Sequence, residues 1–364
     1  MFFLALTLAA AVLTGCAMTD GERAREERVM RSPAWGKGKF HNRPDVQVMT
    51  RSADYGSVIV KFIFKGGDRE PRAPLPTVPV DLTALASPPA DGVRATWLGH
   101  STVWVEVDGV RVLCDPHWSE RSSPVGFAGP KRFHAPAVKL DDLPVPDLVV
   151  ISHDHYDHLD RPTIEALNAR GARFAVPLGV GAHLQSWGVP AERIVELDWW
   201  ERAEVIPGRL AVTAAPAQHF SGRGLLDRND TLWASWVIEG RARRVYFGGD
   251  GGLNEAVFTE IGRRFGPFDL TLLEIGAYDR AWGNIHLGPE NAIVAHRMLR
   301  GNVLIPIHWG TFNLGLHAWH EPPEQILAAA KGTGTHLALP RIGEGVTVGA
   351  ALPSDPWWRA LIGK

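Results

Sequence analysis

One stretch of the chain decides its fold and its chemistry: Leu148-Val-Val-Ile-Ser152-His153-Asp154-His155-Tyr156-Asp157-His158-Leu159-Asp160. A short apolar run, typical of a buried strand, leads directly into three His and three Asp. Groups that follow a strand of an α/β protein lie at the sheet edge where binding sites form. Imidazole and carboxylate are ligands that zinc and similar divalent ions accept. His153 and His155 can therefore bind one ion in an extended loop, and Asp157 and His158 can bind a second. The alternative is a polar surface loop.

Two ions need more ligands than this loop holds, and later strand-like runs supply them. Ala211–His219 ends in a His, Arg244–Asp250 ends in an Asp beside glycines, and Val303–His308 ends in a His. Each residue alone could be structural. Their recurrence at three strand ends after the first motif favours a single binuclear site.

The sequence around these motifs predicts a layered α/β fold. Two β-branched runs, 102–107 and 110–114, are joined by Asp108-Gly109, a strong hairpin signal. Further on, helical and strand patterns alternate, which favours sheets covered by helices. We expect strands and helices at 95–98, 148–152, 163–170, 254–264, 270–273, 289–299, 303–307 and 324–331.

Composition limits the class of protein. The 364 residues carry a net charge of −2, which argues against a nucleic-acid binder with a broad basic face. The two cysteines, Cys16 and Cys114, exclude a disulfide framework. We expect Cys114 to be a buried strand residue.

The amino terminus is predicted to be a targeting segment. An apolar run over residues 2–13 is too short to span a bilayer, and Leu13-Thr14-Gly15-Cys16 resembles a bacterial lipobox. We therefore predict an exported, membrane-anchored lipoprotein, lipidated at Cys16 and facing the periplasm or the cell exterior. A cleaved signal without lipid, or an uncleaved anchor, are the alternatives. The predicted division is 1–16 signal peptide with lipobox, 17–93 N-terminal arm and Pro-rich lead-in, 94–350 main domain and 351–364 C-terminal tail. The charged residues 17–50 are interpreted as a tether or a loosely packed arm.

Beyond these derivations, the chain resembles the metallo-β-lactamase superfamily, and within it the N-acylphosphatidylethanolamine-hydrolysing phospholipase D family. The closer resemblance is carried by Trp97-Leu-Gly-His-Ser-Thr102, Asp115-Pro116, Gly129-Pro-Lys-Arg-Phe133, Glu196-Leu-Asp-Trp-Trp200, Gln218-His219, Arg264-Phe-Gly-Pro-Phe-Asp-Leu270, Ile275-Gly-Ala-Tyr278 and Ile307-His-Trp-Gly-Thr-Phe312, together with the 151–160 motif. The resemblance implies an αββα sandwich with two zinc ions per chain. His153, His155 and His219 would hold one ion, Asp157, His158 and His308 would hold the other, and Asp250 would bridge them.

The implied reaction is cleavage of N-acylphosphatidylethanolamine to phosphatidic acid and an N-acylethanolamine, in which the two ions share a hydroxide nucleophile. Asp157 or a metal-bound water is expected to supply the proton to the leaving group, with His286 as a weaker candidate.

The expected partners are a phospholipid or another small-molecule ester, a membrane surface reached through the lipid anchor, and a second copy of the chain in a homodimer, but no nucleic acid. A lactonase or another carbon–oxygen ester hydrolase is the alternative, and a non-catalytic binding protein is disfavoured because all seven ligand positions are filled. The sequence assigns no role to His100, Lys131 or Arg132; for His100 a hydrogen-bonded structural role is favoured over a ligand role.

Overall fold

The computed structural model describes residues 20–43, 68–279 and 282–363. The predicted signal segment, Cys16 and the apolar segment 58–64 lie outside these residues, so the predictions made for them stay predictions. In the N-terminal part, helix α1 (Asp20–Arg31) precedes a small hairpin of β1 (Trp35–Gly36) and β2 (Lys39–Phe40). A short helix, α2 (Leu82–Ala86), leads into the main domain.

Two seven-stranded sheets form the main domain. In chain order, the elements of the first sheet and its helices are β3 (Val93–Trp97), β4 (Val103–Val107), β5 (Val110–Cys114), β6 (Leu148–Val150), α3 (Arg161–Ala169), β7 (Phe174–Pro177), α4 (Val180–Ser186) and β8 (Ile194–Leu197). Those of the second are β9 (Arg202–Ile206), β10 (Leu210–Ala215), β11 (Ser235–Glu239), β12 (Arg244–Phe247), α5 (Glu255–Phe265), β13 (Phe268–Glu274), α6 (Gly288–Met298), β14 (Gly301–Ile307), α7 (Glu321–Ala330) and β15 (His336–Leu337). Strand β16 (Gly345–Thr347) returns to the first sheet, and short 3₁₀ helices span Leu140–Asp142, Ala191–Arg193 and Trp357–Leu361.

The two sheets have the same pattern of strand pairing. The first has the order β16-β3-β4-β5-β6-β7-β8 and the second the order β15-β14-β13-β12-β11-β10-β9. Each sheet has three antiparallel and three parallel pairings: the antiparallel ones join β16 to β5 in the first sheet and β9 to β12 in the second, and the parallel ones join the remaining strands. The parallel strands β6, β13 and β14 are each followed by a loop that reaches the same edge of the molecule, where the candidate site lies.

Local sequence explains the elements that were predicted. Asp108 and Gly109 have φ of 47° and 80°, so both central residues of the β4–β5 turn adopt the left-handed conformation that a two-residue hairpin needs. Helix α5 begins where Asn254 caps it through the backbone N–H of Val257. The predicted hairpin and all eight further predicted segments are present, with shifts of a few residues at their ends.

The main core lies between the two sheets. Side chains from one face of β4 and β5, such as Val105 and Cys114, pack with Val212 and Trp236 of the second sheet. The opposite face of the first sheet packs against α3 and α4 in a separate cluster. Helices α5 and α6 cover the other face of the second sheet, where Ile261 and Ala292 are buried. The chain is therefore the predicted αββα sandwich, and Cys114 is buried at the end of β5 as expected.

Residues 20–43, for which the sequence analysis allows a tether or a loosely packed arm, make contacts with the main domain. Arg25 forms an ion pair with Glu196 at 2.6 Å, with both side chains largely buried. Phe40 is fully buried in a cluster with Leu178 and Trp233. The charges of α1 resemble a solvated segment in the sequence, but Arg25 and Arg28 pair with Glu196 and Glu201, which lie far along the chain.

The C-terminal segment, which the sequence analysis sets apart as a tail, also packs against the domain. Trp357 and Trp358 are buried in the main core, and the Trp309 ring stacks on Trp357 at 5.6 Å. The division of the chain into four parts stays a prediction.

Candidate metal centre

The loop after β6 brings its four predicted ligands to the edge between the two sheets. Backbone N–H groups of His158 and Leu159 both donate to the carbonyl of His155, at 3.1 and 2.8 Å, which folds the loop into a tight turn. Because of this turn, His153 and His155 face one side of the loop end and Asp157 and His158 face the adjacent side. His219, Asp250 and His308 arrive from loops after β10, β12 and β14.

Three His nitrogens converge in a first group. His155 Nδ1 lies 2.8 Å from His153 Nε2 and 3.4 Å from His219 Nε2. Burial lowers the pKa of His153 and His219 well below their ordinary value, and it also lowers the pKa of His155, although neighbouring carboxylates oppose it. Three neutral imidazoles whose ring nitrogens meet at one point match the protein ligands of a zinc site.

A second group forms around two carboxylates. Asp157 Oδ2 lies 3.1 Å from His158 Nε2 and 3.3 Å from His308 Nε2. Asp250 Oδ2 lies 3.3 and 3.1 Å from the same two nitrogens and 3.8 Å from His219 Nε2. Asp250 therefore stands between the two groups, at the position that a bridging ligand requires.

Burial on its own would raise the pKa of Asp157 and Asp250. The surrounding imidazoles outweigh it and hold the pKa of both carboxyls well below their ordinary value, so both are ionised at neutral pH. Correspondingly, burial would lower the pKa of His308, but Asp250 and Asp157 raise it to about 10. A cation that binds here must displace the proton of His308, because a ligating His is neutral.

Three further observations indicate that these residues can bind a pair of divalent cations. Asp250 Oδ1 is buried and has no hydrogen-bond partner, which is costly unless a cation binds there. The His153 Nδ1–H can donate to Ser152 Oγ at 2.9 Å, because that hydroxyl donates its own hydrogen to Asp115. The His219 Nδ1–H donates to the carbonyl of Ile285 at 2.9 Å. In both His residues this leaves the Nε2 lone pair directed to the centre, which is the tautomer that metal ligation needs.

A buried carboxylate that the ligand prediction does not include orients the first loop. Asp115 follows β5 and is fully buried. Its Oδ1 accepts from the Ser152 backbone N–H at 2.7 Å, and its Oδ2 lies 2.6 Å from both Ser152 Oγ and His158 Nδ1. Asp115 therefore fixes both the start of the loop and the ring orientation of His158.

A second buried carboxylate, Glu274, plays the corresponding part in the second sheet. It is the last residue of β13, and its Oε1 accepts from the backbone N–H groups of Gly251 and Leu287 at 2.7 and 3.2 Å. Its Oε2 lies 2.6 Å from His286 Nδ1. Glu274 therefore joins the loop of Asp250 to the loop of His286. Sequence reasoning missed it, although it ends an apolar run just as Asp250 and His308 do.

The remaining residues singled out from the sequence fall in different places. His100 is buried, and its Nε2 lies 2.8 Å from Asp157 Oδ2, so it joins the second group through a hydrogen bond. Burial and the neighbouring His308 lower the pKa of His100 to about 3, so its neutral ring donates to Asp157. Lys131 is an exposed partner of Glu120, and Arg132 donates to the carbonyl of His117 at 3.0 Å. Neither of these two lines the pocket described next.

The two groups form the floor of a pocket of about 370 Å³. His155, Asp157, His219, Asp250, His286 and His308 line it on the polar side. The walls are mostly apolar, with Arg228 as a cation whose guanidinium lies 4.3 Å from the Phe220 ring centroid. The apolar wall residues are Phe220, Ala277, Trp282, Ile285 and Leu314. The site thus combines a metal-binding floor with walls that suit an amphiphilic substrate carrying an anionic group.

The chain is similar in sequence and structure to several known proteins. The Beta-lactamase superfamily domain matches residues 110–309. A Mycobacterium tuberculosis protein without an assigned function is 48% identical over 338 residues, covering 90% of this chain and 88% of that protein. The N-acyl-phosphatidylethanolamine-hydrolyzing phospholipase D 1 of Caenorhabditis elegans is 40% identical over 261 residues, covering 69% of this chain and 73% of that enzyme. Among solved structures, the metallo hydrolase Igni18 from Ignicoccus hospitalis is 27% identical with a TM-score of 0.54, covering 71% of this chain and 99% of that one.

Proposed function

Because this chain belongs to the metallo-β-lactamase superfamily, in the branch that contains N-acylphosphatidylethanolamine-hydrolysing phospholipases D, we propose that it is a binuclear zinc phosphodiesterase of the phospholipase D type. A metal-dependent hydrolase is what the family establishes. The finer proposal is that it cleaves N-acylphosphatidylethanolamine to phosphatidic acid and an N-acylethanolamine.

One observation carries the proposal: two converging donor groups with Asp250 between them form the floor of a mostly apolar pocket. His153, His155 and His219 would hold one ion, and Asp157, His158 and His308 the other. When bound, the ions would acidify a water molecule and withdraw charge from the reacting phosphoryl group. Ligand chemistry favours zinc, since imidazole and carboxylate are its usual partners.

The chain's own side chains would bind and orient the lipid. The apolar walls formed by Phe220, Trp282 and Leu314 suit a hydrocarbon chain. Arg228, held against Phe220, presents a guanidinium to an anionic group of the substrate. A phosphodiester with acyl chains carries both features.

The leaving alkoxide needs a proton, and the geometry favours His286 over Asp157 as its source. The low pKa of Asp157 makes it a carboxylate with no proton to give. Burial alone would lower the pKa of His286, but the adjacent Glu274 outweighs it and raises that pKa. His286 lines the pocket, its Nδ1 is held by Glu274, and its other nitrogen is therefore available to a substrate. This reverses the order of the two candidates given in the sequence analysis.

The proposed location follows from the amino terminus. We propose that the chain is exported and anchored at the membrane through a lipid on Cys16, beside its lipid substrate. Among the described residues, no helix is long and apolar enough to cross a membrane. The predicted homodimer stays a prediction that a measurement of mass in solution would test.

The test is a product assay with the zinc-loaded chain. N-acylphosphatidylethanolamine in mixed micelles is incubated with the parent and with Asp157→Asn, and the products are identified by mass spectrometry. The proposal expects phosphatidic acid and N-acylethanolamine from the parent and neither from the variant. A panel of lactones and carboxylic esters runs in parallel. Turnover of these without phosphodiester cleavage would reject the phospholipase proposal in favour of the carbon–oxygen hydrolase alternative.

A further inference from the structure

One carboxylate of the motif after β6 is not used by the candidate metal centre. Asp154 stands between His153 and His155 in the sequence, and its side chain is almost fully buried. The two His side chains meet at the centre, with 2.8 Å between their nitrogens. Asp154 instead bonds to residues of the segment 220–231, which joins β10 to β11. We call this segment the pocket loop.

The pocket loop supplies part of the wall above the metal centre. Phe220 and Arg228 belong to it, and both line the pocket that has the metal ligands as its floor. The base of the loop is closed by the Ser221 hydroxyl, which donates to the carbonyl of Thr231 at 2.6 Å. The position of the loop therefore decides where the guanidinium of Arg228 stands relative to the metal centre.

The Asp154 carboxylate holds both ends of the pocket loop. Its Oδ1 accepts from the backbone N–H of Gly222 at 2.7 Å, and its Oδ2 accepts from the Thr231 hydroxyl at 2.9 Å. His183 Nε2 lies 3.4 Å from the same Oδ2. Because each oxygen bonds to a different end of the loop, one side chain fixes the whole loop to the segment that carries the metal ligands.

Arg223 makes a second attachment between the same two segments. Its Nη1 donates to the carbonyls of Asp154 and Leu159 at 2.6 and 2.8 Å. Its guanidinium lies 4.0 Å from the centroid of the Tyr156 ring, and the Tyr156 hydroxyl donates to the carbonyl of Arg223 at 2.9 Å. The loop after β6 thus presents two ligands to the metal centre and two other residues, Asp154 and Tyr156, to the pocket loop.

We propose that Asp154 is a positioning residue that sets the place of Arg228 in the pocket, and through it the affinity for substrates with an anionic group. This inference rests on the proposed function, in which Arg228 meets an anionic group of the substrate. Attraction between charges depends on their separation, and a loop that must be ordered on binding lowers affinity. Asp154 acts through Arg228 and is not itself a catalytic residue.

Hydrogen exchange measured by mass spectrometry tests the attachment without any substrate. Asp154→Asn keeps the shape of the side chain but replaces one acceptor oxygen with an NH₂ group. Its loss should make the amides of the pocket loop exchange about tenfold faster or more in the zinc-loaded chain. The matched control is Asp108→Asn, since Asp108 is also a buried carboxylate that accepts from backbone N–H groups. The control should leave exchange in the loop within about twofold, and unchanged exchange in Asp154→Asn would overturn the inference.

The affinity for octyl phosphate, an amphiphile with an anionic group, tests the consequence for the pocket. Calorimetry compares the zinc-loaded parent with Asp154→Asn, Arg228→Ala and the double variant, after equal metal content has been confirmed. Each single change should raise Kd by about tenfold. The double variant should bind no more weakly than Arg228→Ala, because both changes remove the same interaction. Additive losses in the double variant, or a parent-like Kd for Asp154→Asn, would mean a merely structural role and overturn the inference.

Failure of the proposed function would give a different result. The parent would then bind octyl phosphate but leave N-acylphosphatidylethanolamine intact, and the dependence of affinity on Asp154 and Arg228 would still be measurable. A parent that does not bind octyl phosphate would overturn both the substrate role of Arg228 and the inference about Asp154. Neither the exchange nor the affinity measurement requires turnover.

Discussion

The two sheets bring their donors to the candidate metal centre in different ways. The first sheet contributes four ligand candidates from one loop after β6, all within six residues from His153 to His158. The second sheet contributes one each from separate loops, at His219, Asp250 and His308. The two halves nevertheless share a feature, because each has a fully buried carboxylate that binds a His Nδ1 at 2.6 Å: Asp115 with His158, and Glu274 with His286.

The difference teaches what each half can do. Asp115 holds a His whose other nitrogen is directed at the candidate metal centre, so in our proposal it acts on metal affinity. Glu274 holds a His that lines the pocket, so it acts on a group that can reach the substrate. The same carboxylate–histidine pair thus serves binding in one half and, in our proposal, proton transfer in the other.

The largest effect is expected at the residue that joins the halves. Asp250→Asn removes the negative charge between the two groups and leaves His158 and His308 facing a neutral amide. We expect hydrolysis to fall at least about a thousandfold, since metal-assisted charge stabilisation is worth several kcal/mol. Steady-state kinetics with metal analysis by mass spectrometry checks this. Retention of most of the activity would separate Asp250 from the metal centre.

The comparison itself is tested by removing each orienting carboxylate. Asp115→Asn should weaken metal binding by about 10- to 100-fold, as loss of an outer hydrogen-bond partner does. Glu274→Gln should reduce kcat with a much smaller change in metal affinity. Chelator competition and turnover are measured on both variants.

The matched control is Asp108→Asn, a buried carboxylate that accepts from the backbone N–H groups of Gly92, Ala242 and Arg243 away from the site. Asp108→Asn should change neither the metal affinity nor kcat. If Asp115→Asn and Glu274→Gln affected metal affinity equally, the proposed division of roles would be lost.

A smaller effect is expected in the pH dependence. His286 must be protonated to act as an acid, so kcat should fall as the pH rises through its pKa, which Glu274 raises. In Glu274→Gln the negative charge beside His286 is gone, so the pKa of His286 falls and the alkaline limb of the pH–rate profile should move to lower pH. A pH–rate profile of both enzymes measures the shift. An alkaline limb at the same pH in both would rule out His286 as the acid.

The smallest effect is expected at the N-terminal arm. The Asn42 side chain donates to the carbonyl of His219 at 2.7 Å and accepts from its backbone N–H at 3.1 Å. Asn42→Ala removes two hydrogen bonds worth about 1 kcal/mol each, so we expect a severalfold loss of metal affinity. Lys37→Ala, an exposed change in the adjacent hairpin, serves as the comparison and should leave affinity unaltered.

The contrast between one contiguous loop and several separate loops also determines how much of the site the sequence could predict. The first-sheet loop is contiguous, so its residue types and spacing predict a metal site directly. His219, Asp250 and His308 could be found because each ends an apolar run, and Glu274 and Asp115 carry the same signal without having been chosen. Nothing local distinguishes a ligand from a carboxylate that orients a ligand, because that depends on which loops the fold brings together.

Other features could not be predicted for the same physical reason. Arg25 pairs with Glu196, a residue that lies far away in the sequence. Arg228 lies over Phe220 because of the path of an irregular loop. Helical and strand periodicity predicts the elements, since it reports which face is buried. It carries no information on how a charged arm packs against a distant strand.

The central claim is that the two halves together bind two metal ions, and anomalous diffraction from crystals of the zinc-loaded chain tests it most directly. The account predicts two zinc peaks, one ligated by His153, His155 and His219 and one by Asp157, His158 and His308, with Asp250 contacting both. A single peak, or zinc bound outside these seven side chains, would contradict it.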